Sequence, residues 1–160
     1  MTDNSQTPEE RAVQLYDRGL QCSEALLKTY NERLELGLGS TALRMASGFA
    51  HGYGGAGLSC GCLTSAIMVL GALYGRTKPD EPEERVQTLA SEMERRFHDR
   101  FGTDYCADLT LGLRWGGEEQ RRHCTQVVRE SVRILEDILR EAGLPAAGDR
   151  PPSPHGTAAH

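Results

Sequence analysis

Apolar residues recur along most of the chain at the three- and four-residue spacing of helices. No stretch alternates convincingly with the period of two that marks a strand. Ala12, Leu15 and Tyr16 share one face of a first helix. Thr7 can cap it, Pro8 suits its first position, Glu9 and Glu10 favour the positive end of the dipole, and Gly19 ends it. A second helix begins at about Cys22, carries Ala25, Leu26 and Tyr30 inward, and stops near Gly37-Leu38-Gly39. Ser40 predicts a cap for a short helix from Thr41 to Ser47. The stretch from Leu63 to Tyr74, opened by Ser59 or Cys60, is apolar nearly all round, which marks a central, buried helix. Pro82-Glu83-Glu84 opens a further helix with Val86, Leu89, Ala90, Met93 and Phe97 as its stripe and Gly102 as its C-cap. Thr103 to Cys106 opens one more turn. The longest helix runs from Glu118 to Ala142, with Cys124, Val127, Val128, Ser131, Leu135 and Ile138 on one face and Gly143 and Pro145 as its stop.

The pattern predicts an all-α protein, a single-domain bundle of about five or six helices around a buried central helix. The glycine-rich stretch from Gly48 to Cys62 is expected to form a loop that carries cysteines into that helix. Residues 1–7 are expected to be disordered, 8–143 to form the helical domain, and 144–160, rich in Pro, Gly and Ala, to form a disordered tail.

At 160 residues the chain is long enough to bury a core of its own. A net charge of -5 and a pI near 5.5 argue against nucleic acid or an anionic membrane surface as partner. The N-terminal residues lack a signal pattern, and the longest apolar run is too short to span a bilayer, so no membrane insertion is expected. Five cysteines are an odd number for a secreted disulfide scaffold. The expectation is a cytoplasmic protein whose cysteines are packed, metal-binding or reactive.

Those cysteines are Cys22, Cys60, Cys62, Cys106 and Cys124. Cys22, Cys60 and Cys106 fall at or near helix N-termini, where free N–H groups and the dipole favour thiolate over thiol. Cys60 combines such a position with a flexible loop and is the expected attacking thiolate, with Cys106 or Cys124 to resolve it. Cys124 follows Arg121, Arg122 and His123, whose positive charge would act in the same direction. Cys60-Gly61-Cys62 lacks the spacing of paired zinc ligands. Gly54, Gly55 and Gly57 are candidates for backbone contact with a cofactor. Gly52, Gly54 and Gly57 fit a dinucleotide-binding pattern on paper, but no strand precedes them. His51 and His123 are open as ligands, proton donors or solvent-facing residues; His98 has no assigned role. Trp115 and Tyr105 are expected to pack near Cys106.

The arrangement resembles the C-GCAxxG-C-C family of redox-active proteins, over about Ala12 to Leu139. Cys22 in Gln21-Cys22-Ser23-Glu24 matches the first cysteine, and Gly52 to Gly75 matches the central motif. Cys106 after Phe101-Gly102 and Cys124 match the last two. The chain departs from the pattern at Cys62 and Ser65, where the family has Ala and Gly. The resemblance implies a redox site and no particular substrate. The cysteines would serve either as a dithiol/disulfide couple or as thiolate ligands, Cys22, Cys60, Cys106 and Cys124, of an iron–sulfur cluster or zinc. A redox partner protein or a small thiol would be the counterpart, and any catalysis would be that of an oxidoreductase. The contrasting reading is a non-catalytic helical interaction module with structural cysteines.

Overall fold

A computed structural model describes residues 6–144; the termini expected to be disordered lie largely outside them. The architecture is all-α. Its helices are α1 (Pro8–Asp17), α2 (Cys22–Arg33), α3 (Ser40–Met45), α4 (Ala50–Tyr53), α5 (Gly61–Tyr74), α6 (Glu84–Phe101), α7 (Cys106–Leu109) and α8 (Glu118–Glu141), with a 3-10 turn at Ala46–Phe49 between α3 and α4.

Helix α5 is the centre of the bundle. It packs against α2, α6 and α8, while α1 bridges α2 and α8. Its residues Leu63, Ala66, Val69 and Leu70 meet Leu26 and Tyr30 of α2, Met93 and Phe97 of α6, and Val128 and Leu135 of α8 in one continuous core. Burying such side chains contributes on the order of 1.5–3 kcal/mol each. The fully buried Tyr30 phenol is satisfied: Tyr30 Oη donates to Glu136 Oε1 at 2.7 Å, and Arg33 Nη2 pairs with Glu136 Oε2 at 2.8 Å. This network ties the last turn of α2 to α8.

Helix α1 starts as its residues dictate. Glu10 N–H donates to Thr7 Oγ1 at 3.2 Å, Thr7 N–H donates to Glu10 Oε2 at 2.8 Å, and Pro8 occupies the first position. Three boundaries differ from the sequence pattern. Helix α2 ends at Arg33, because Glu35 (φ 49°) and Gly37 (φ 68°) turn left-handed and Asn31 Oδ1 accepts the Leu38 N–H at 2.8 Å. Helix α3 is capped by Gly39 and begins at Ser40, and the chain then tightens into the 3-10 turn instead of continuing to Ser47. Helix α6 begins at Glu84, two residues beyond Pro82, because the Glu81 carboxylate accepts the Thr77 and Lys78 N–H groups and holds the linker as a turn.

The glycine-rich stretch is shorter and more ordered than a loop spanning Gly48 to Cys62. It enters through the 3-10 turn and α4, then turns left-handed at His51, Gly52, Tyr53, Gly54, Gly55 and Gly57. A Cβ on Gly52 would lie 2.5 Å from the Leu58 backbone, so the chain can double back only on glycine there. The returning strand-like segment pairs with the one before α7. Cys60 N–H donates to Asp104 O at 2.7 Å and Cys106 N–H to Leu58 O at 2.7 Å, around an isolated antiparallel bridge of Ser59 and Tyr105.

Gly61 controls how closely α5 approaches α2. A Cβ there would lie 2.8 Å from Cys22 Sγ, 3.0 Å from Phe49 O and 3.1 Å from Ser23 Cβ. Gly71, on the same helix, has open space where its Cβ would be. Gly61→Ala is therefore expected to lower stability by about 1–3 kcal/mol through forced separation of the helices. Gly71→Ala should raise it by about 0.5–1 kcal/mol through helix propensity. Urea midpoints of the two variants measure both, and equal effects would remove the steric role of Gly61.

Candidate functional site

Cys22 is the first residue of α2, set there by Glu24, whose carboxylate accepts the Gln21 N–H at 2.7 Å. Cys60 is the N-cap of α5 and Cys62 lies in its first turn. Cys106 opens α7. Cys124 lies in the second turn of α8. Four elements thus present five cysteines, and all five line one cavity of about 240 Å³. Tyr16, His51, Gln120, Arg121 and His123 complete much of its polar wall. All five thiols are free; Cys60 and Cys62 are only 5% and 1% exposed.

Cys22, Cys60 and Cys62 are near enough to govern one another's ionisation. The thiols of Cys60 and Cys62 donate to Cys22 Sγ, and the His51 backbone N–H donates to it as well. These donors hold the Cys22 thiol well below its ordinary pKa, Cys60 contributing most and Cys62 next, against the cost of burial. Sharing their protons with Cys22 pushes Cys60 and Cys62 well above theirs. The surroundings therefore favour ionisation of Cys22 over Cys60, the sulfur expected from the sequence to be the attacking thiolate. The expected effect at Cys60 is present, since the Cys62 N–H donates to its sulfur, but the charge and hydrogen bond of Cys22 outweigh it.

The remaining thiols feel the same charge. Cys106 is pushed up to about 11, by burial first and then by negative charge at Cys22 and Cys124. Cys124 also rises through burial, although Tyr16 Oη donates to its sulfur and Arg121 lies near. Arg121 acts to lower it, as its charge predicts, but burial and then negative charge at Cys22 outweigh that effect. Arg121 is committed elsewhere: Nη2 donates to the Tyr16 carbonyl at 2.6 Å, with the guanidinium carbon 4.8 Å from the centre of the Tyr16 ring.

His51 is held left-handed (φ 56°), a conformation strained for a side chain with a Cβ. Its ring meets Trp115 edge-on at 4.6 Å between centroids. Trp115 is 59% exposed and packs on His51 at the cavity wall, not into a core beside Cys106, and Tyr105 is likewise exposed. Gln120 Oε1 accepts the Gly116 N–H at 2.6 Å, which pins the loop carrying Trp115 to α8. His123 Nε2 is buried and has no hydrogen-bond partner among the described residues. An unmet buried donor or acceptor costs about 1–3 kcal/mol.

Gly54, Gly55 and Gly57 are not among the residues that line the cavity. Gly54 and Gly55 are exposed, and Gly57 instead gives close passage to α7, since a Cβ there would lie 2.8 Å from Ala107 Cβ. Tyr16 and Gln120 are wall residues that the sequence pattern did not assign to the site. The Tyr16 ring reads as core, and only the crossing of α1 over α8 brings it to Cys124. Away from the cavity, Glu94, His98 and Asp104 bring their donor atoms within 4.8 Å of one another, with Glu94 and His98 exposed.

The family model whose description reads "Putative redox-active protein (C_GCAxxG_C_C)" matches residues 20–138, a span that contains all five cysteines. The chain belongs to this family. An uncharacterized protein of Archaeoglobus fulgidus is 28% identical over 148 residues, covering 87% of this chain and 97% of its own length. No solved structure matches. As a member of the C-GCAxxG-C-C family, the chain carries five cysteines where the family's name records four. No helix among the described residues is long and apolar enough to cross a membrane.

The raised Cys106 thiol predicts a pH effect of definite sign. Unfolded, it ionises near 9.0; folded, at about 11. The unfolded state then holds fewer protons across that window, so the contribution of Cys106 is complete below pH 9.0 and is lost as pH rises toward about 11. Urea denaturation of the reduced protein should show the native chain losing more stability across this window than Cys106→Ser. Parallel pH profiles would refute the assignment.

Proposed function

We propose that the protein is an electron-transfer redox protein whose cysteines act as thiolate ligands of an iron–sulfur cluster. The observation that carries this reading is the convergence of all five thiols, from four separate elements, on one cavity. A dithiol couple needs two cysteines; this wall has five. Thiolates are soft ligands suited to iron–sulfur clusters or zinc, and a bound cation reverses the repulsion that now keeps most of these thiols protonated. The His51 N–H, already donated to Cys22 Sγ, is the kind of contact that tunes cluster sulfur. Zinc has no redox chemistry, so the family's redox description favours iron. When bound, a cluster supplies reversible one-electron chemistry.

Cys22, Cys106 and Cys124 are the assigned ligands, with Cys60 or Cys62 as the fourth. Burial of Cys60 and Cys62 supports electron transfer over direct exchange with a protein disulfide, since electrons can cross packed side chains and an attacking sulfur cannot. The counterpart is then a redox partner protein. Five unpaired thiols fit a reducing compartment, the cytoplasm.

The hydrogen-bonded trio favours a second reading, a dithiol couple with a small disulfide as oxidant. The Cys22 thiolate attacks one sulfur of that disulfide, and the other leaves as thiolate. Cys60 or Cys62 then loses its proton, attacks Cys22 Sγ and expels the second sulfur. Two electrons pass to the small disulfide, and one disulfide forms in the protein.

Protein purified without oxygen should contain iron and acid-labile sulfide and absorb in the visible range. Cys106→Ser and Cys124→Ser should each reduce the iron content severalfold. If metal is absent, and two thiols vanish on mild oxidation in the native chain and in Cys106→Ser but not in Cys22→Ser, the dithiol reading replaces the cluster. Five inert thiols would leave a helical module whose cysteines only pack.

A further inference from the structure

We infer that Glu94, His98 and Asp104 form a site for a divalent metal ion, separate from the cysteine-lined cavity, and that the ion ties the segment before α7 to α6. One ligand atom from each of the three lies within 4.8 Å of the other two, so a small side-chain adjustment brings all three onto one ion. The sequence builds this trio from two elements. Glu94 and His98 stand four residues apart on α6 and share a face. Gly102 then ends α6 in a left-handed turn (φ 77°), its N–H donating to the His98 carbonyl at 2.7 Å, and the chain doubles back to bring Asp104 beside them. Asp104 is held in place from its other side. Its carbonyl accepts the Cys60 N–H at 2.7 Å, and its Oδ2 accepts the Ser59 hydroxyl at 3.4 Å.

Electrostatics gives an independent reason for a cation. The nearby arginines of α6 are engaged elsewhere: Arg95 with Glu92 and Asp99, Arg96 with Glu92 and Glu141, and Arg100 with Glu130. Among the described residues no ion pair reaches Glu94 or Asp104, and neither carboxylate pairs with the His98 ring. Two carboxylates therefore stand together uncompensated, each raising the cost of the other's charge, and a bound dication reverses that cost. One imidazole nitrogen with two carboxylate oxygens is a donor set for a divalent first-row ion. Water fills the remaining positions, since Glu94 and His98 are exposed. Glu94 and His98 belong to the bundle, while Asp104 belongs to the bridge that carries Cys60 and Cys106. The ion joins the two without touching a thiol.

Manganese(II) ion alone, added to the full reduced chain without oxygen, is the probe, because it takes oxygen donors in preference to thiolates. Loss of its free electron paramagnetic resonance signal counts bound ions. Hydrogen exchange read by mass spectrometry follows the segment with the Cys60 amide. One bound ion is expected, with exchange at Cys60 slowed severalfold. His98→Ala and Glu94→Gln, both at exposed positions, should each weaken binding by more than about tenfold, since loss of an outer-shell partner alone costs that much. Unchanged helical circular dichroism in both variants separates loss of a ligand from loss of the fold. No uptake with the ion in large excess over the chain, or equal uptake by the native chain and both variants, overturns the site. Uptake that the variants lose, with exchange at Cys60 unchanged, upholds the site and overturns its hold on the segment before α7.

Discussion

The contact on which the site depends is that of Gly61 with Cys22. A helix normally keeps its neighbour at a distance set by side chains. Here the first turn of α5 has none at the point of crossing, so the Cys22 sulfur lies almost against its backbone. The consequence reaches both ways. The central helix seats deeply enough for its apolar faces to meet α2, α6 and α8 together. Its N-cap cysteine and first-turn cysteine arrive beside the first residue of α2, within reach of a single sulfur. Packing and chemistry share one missing methyl group.

Burial then decides how charge is distributed. Several thiols in a low-dielectric cavity cannot all ionise, because each negative sulfur raises the cost of the next. Cys22 takes the charge because it has donors of three origins: two thiols and the backbone of a strained histidine. A position at the start of a helix is common to Cys22, Cys60 and Cys106, so that position alone does not distinguish them. What distinguishes them is which sulfur the other protons point toward.

Much of the fold was legible in the chain. The apolar stretch after Gly61 could only be a buried helix, and the capping residues at Thr7 and Gly102 mark their termini in sequence as they do in space. The cysteines at helix starts were legible for the same reason. The rest depended on relations that no local pattern carries. The Ser59–Tyr105 bridge is too short to leave a period of two, yet it sets the spacing of Cys60 and Cys106. Tyr16 shows an ordinary core spacing and reaches Cys124 only through helix crossing. Trp115 reads as a packing residue by type, but its neighbours at Gly112 and Gly116 turn left-handed and leave it on the surface over His51.

The two-stranded bridge also gives the molecule a seam. Three backbone hydrogen bonds, from Cys60, Cys106 and Ala107, fasten the segment before α5 to the start of α7. Everything else that holds α5 lies along its length, deep in the bundle. Such a local contact opens at a lower free energy than the bundle melts, so the two halves of the cavity wall can part while the core stays intact. Parting would admit solvent to Cys106 and leave Cys22, Cys60 and Cys62 together. The protein thus has a natural order of disassembly, in which the centre is breached from its α7 side first and its innermost sulfurs are the last to meet water.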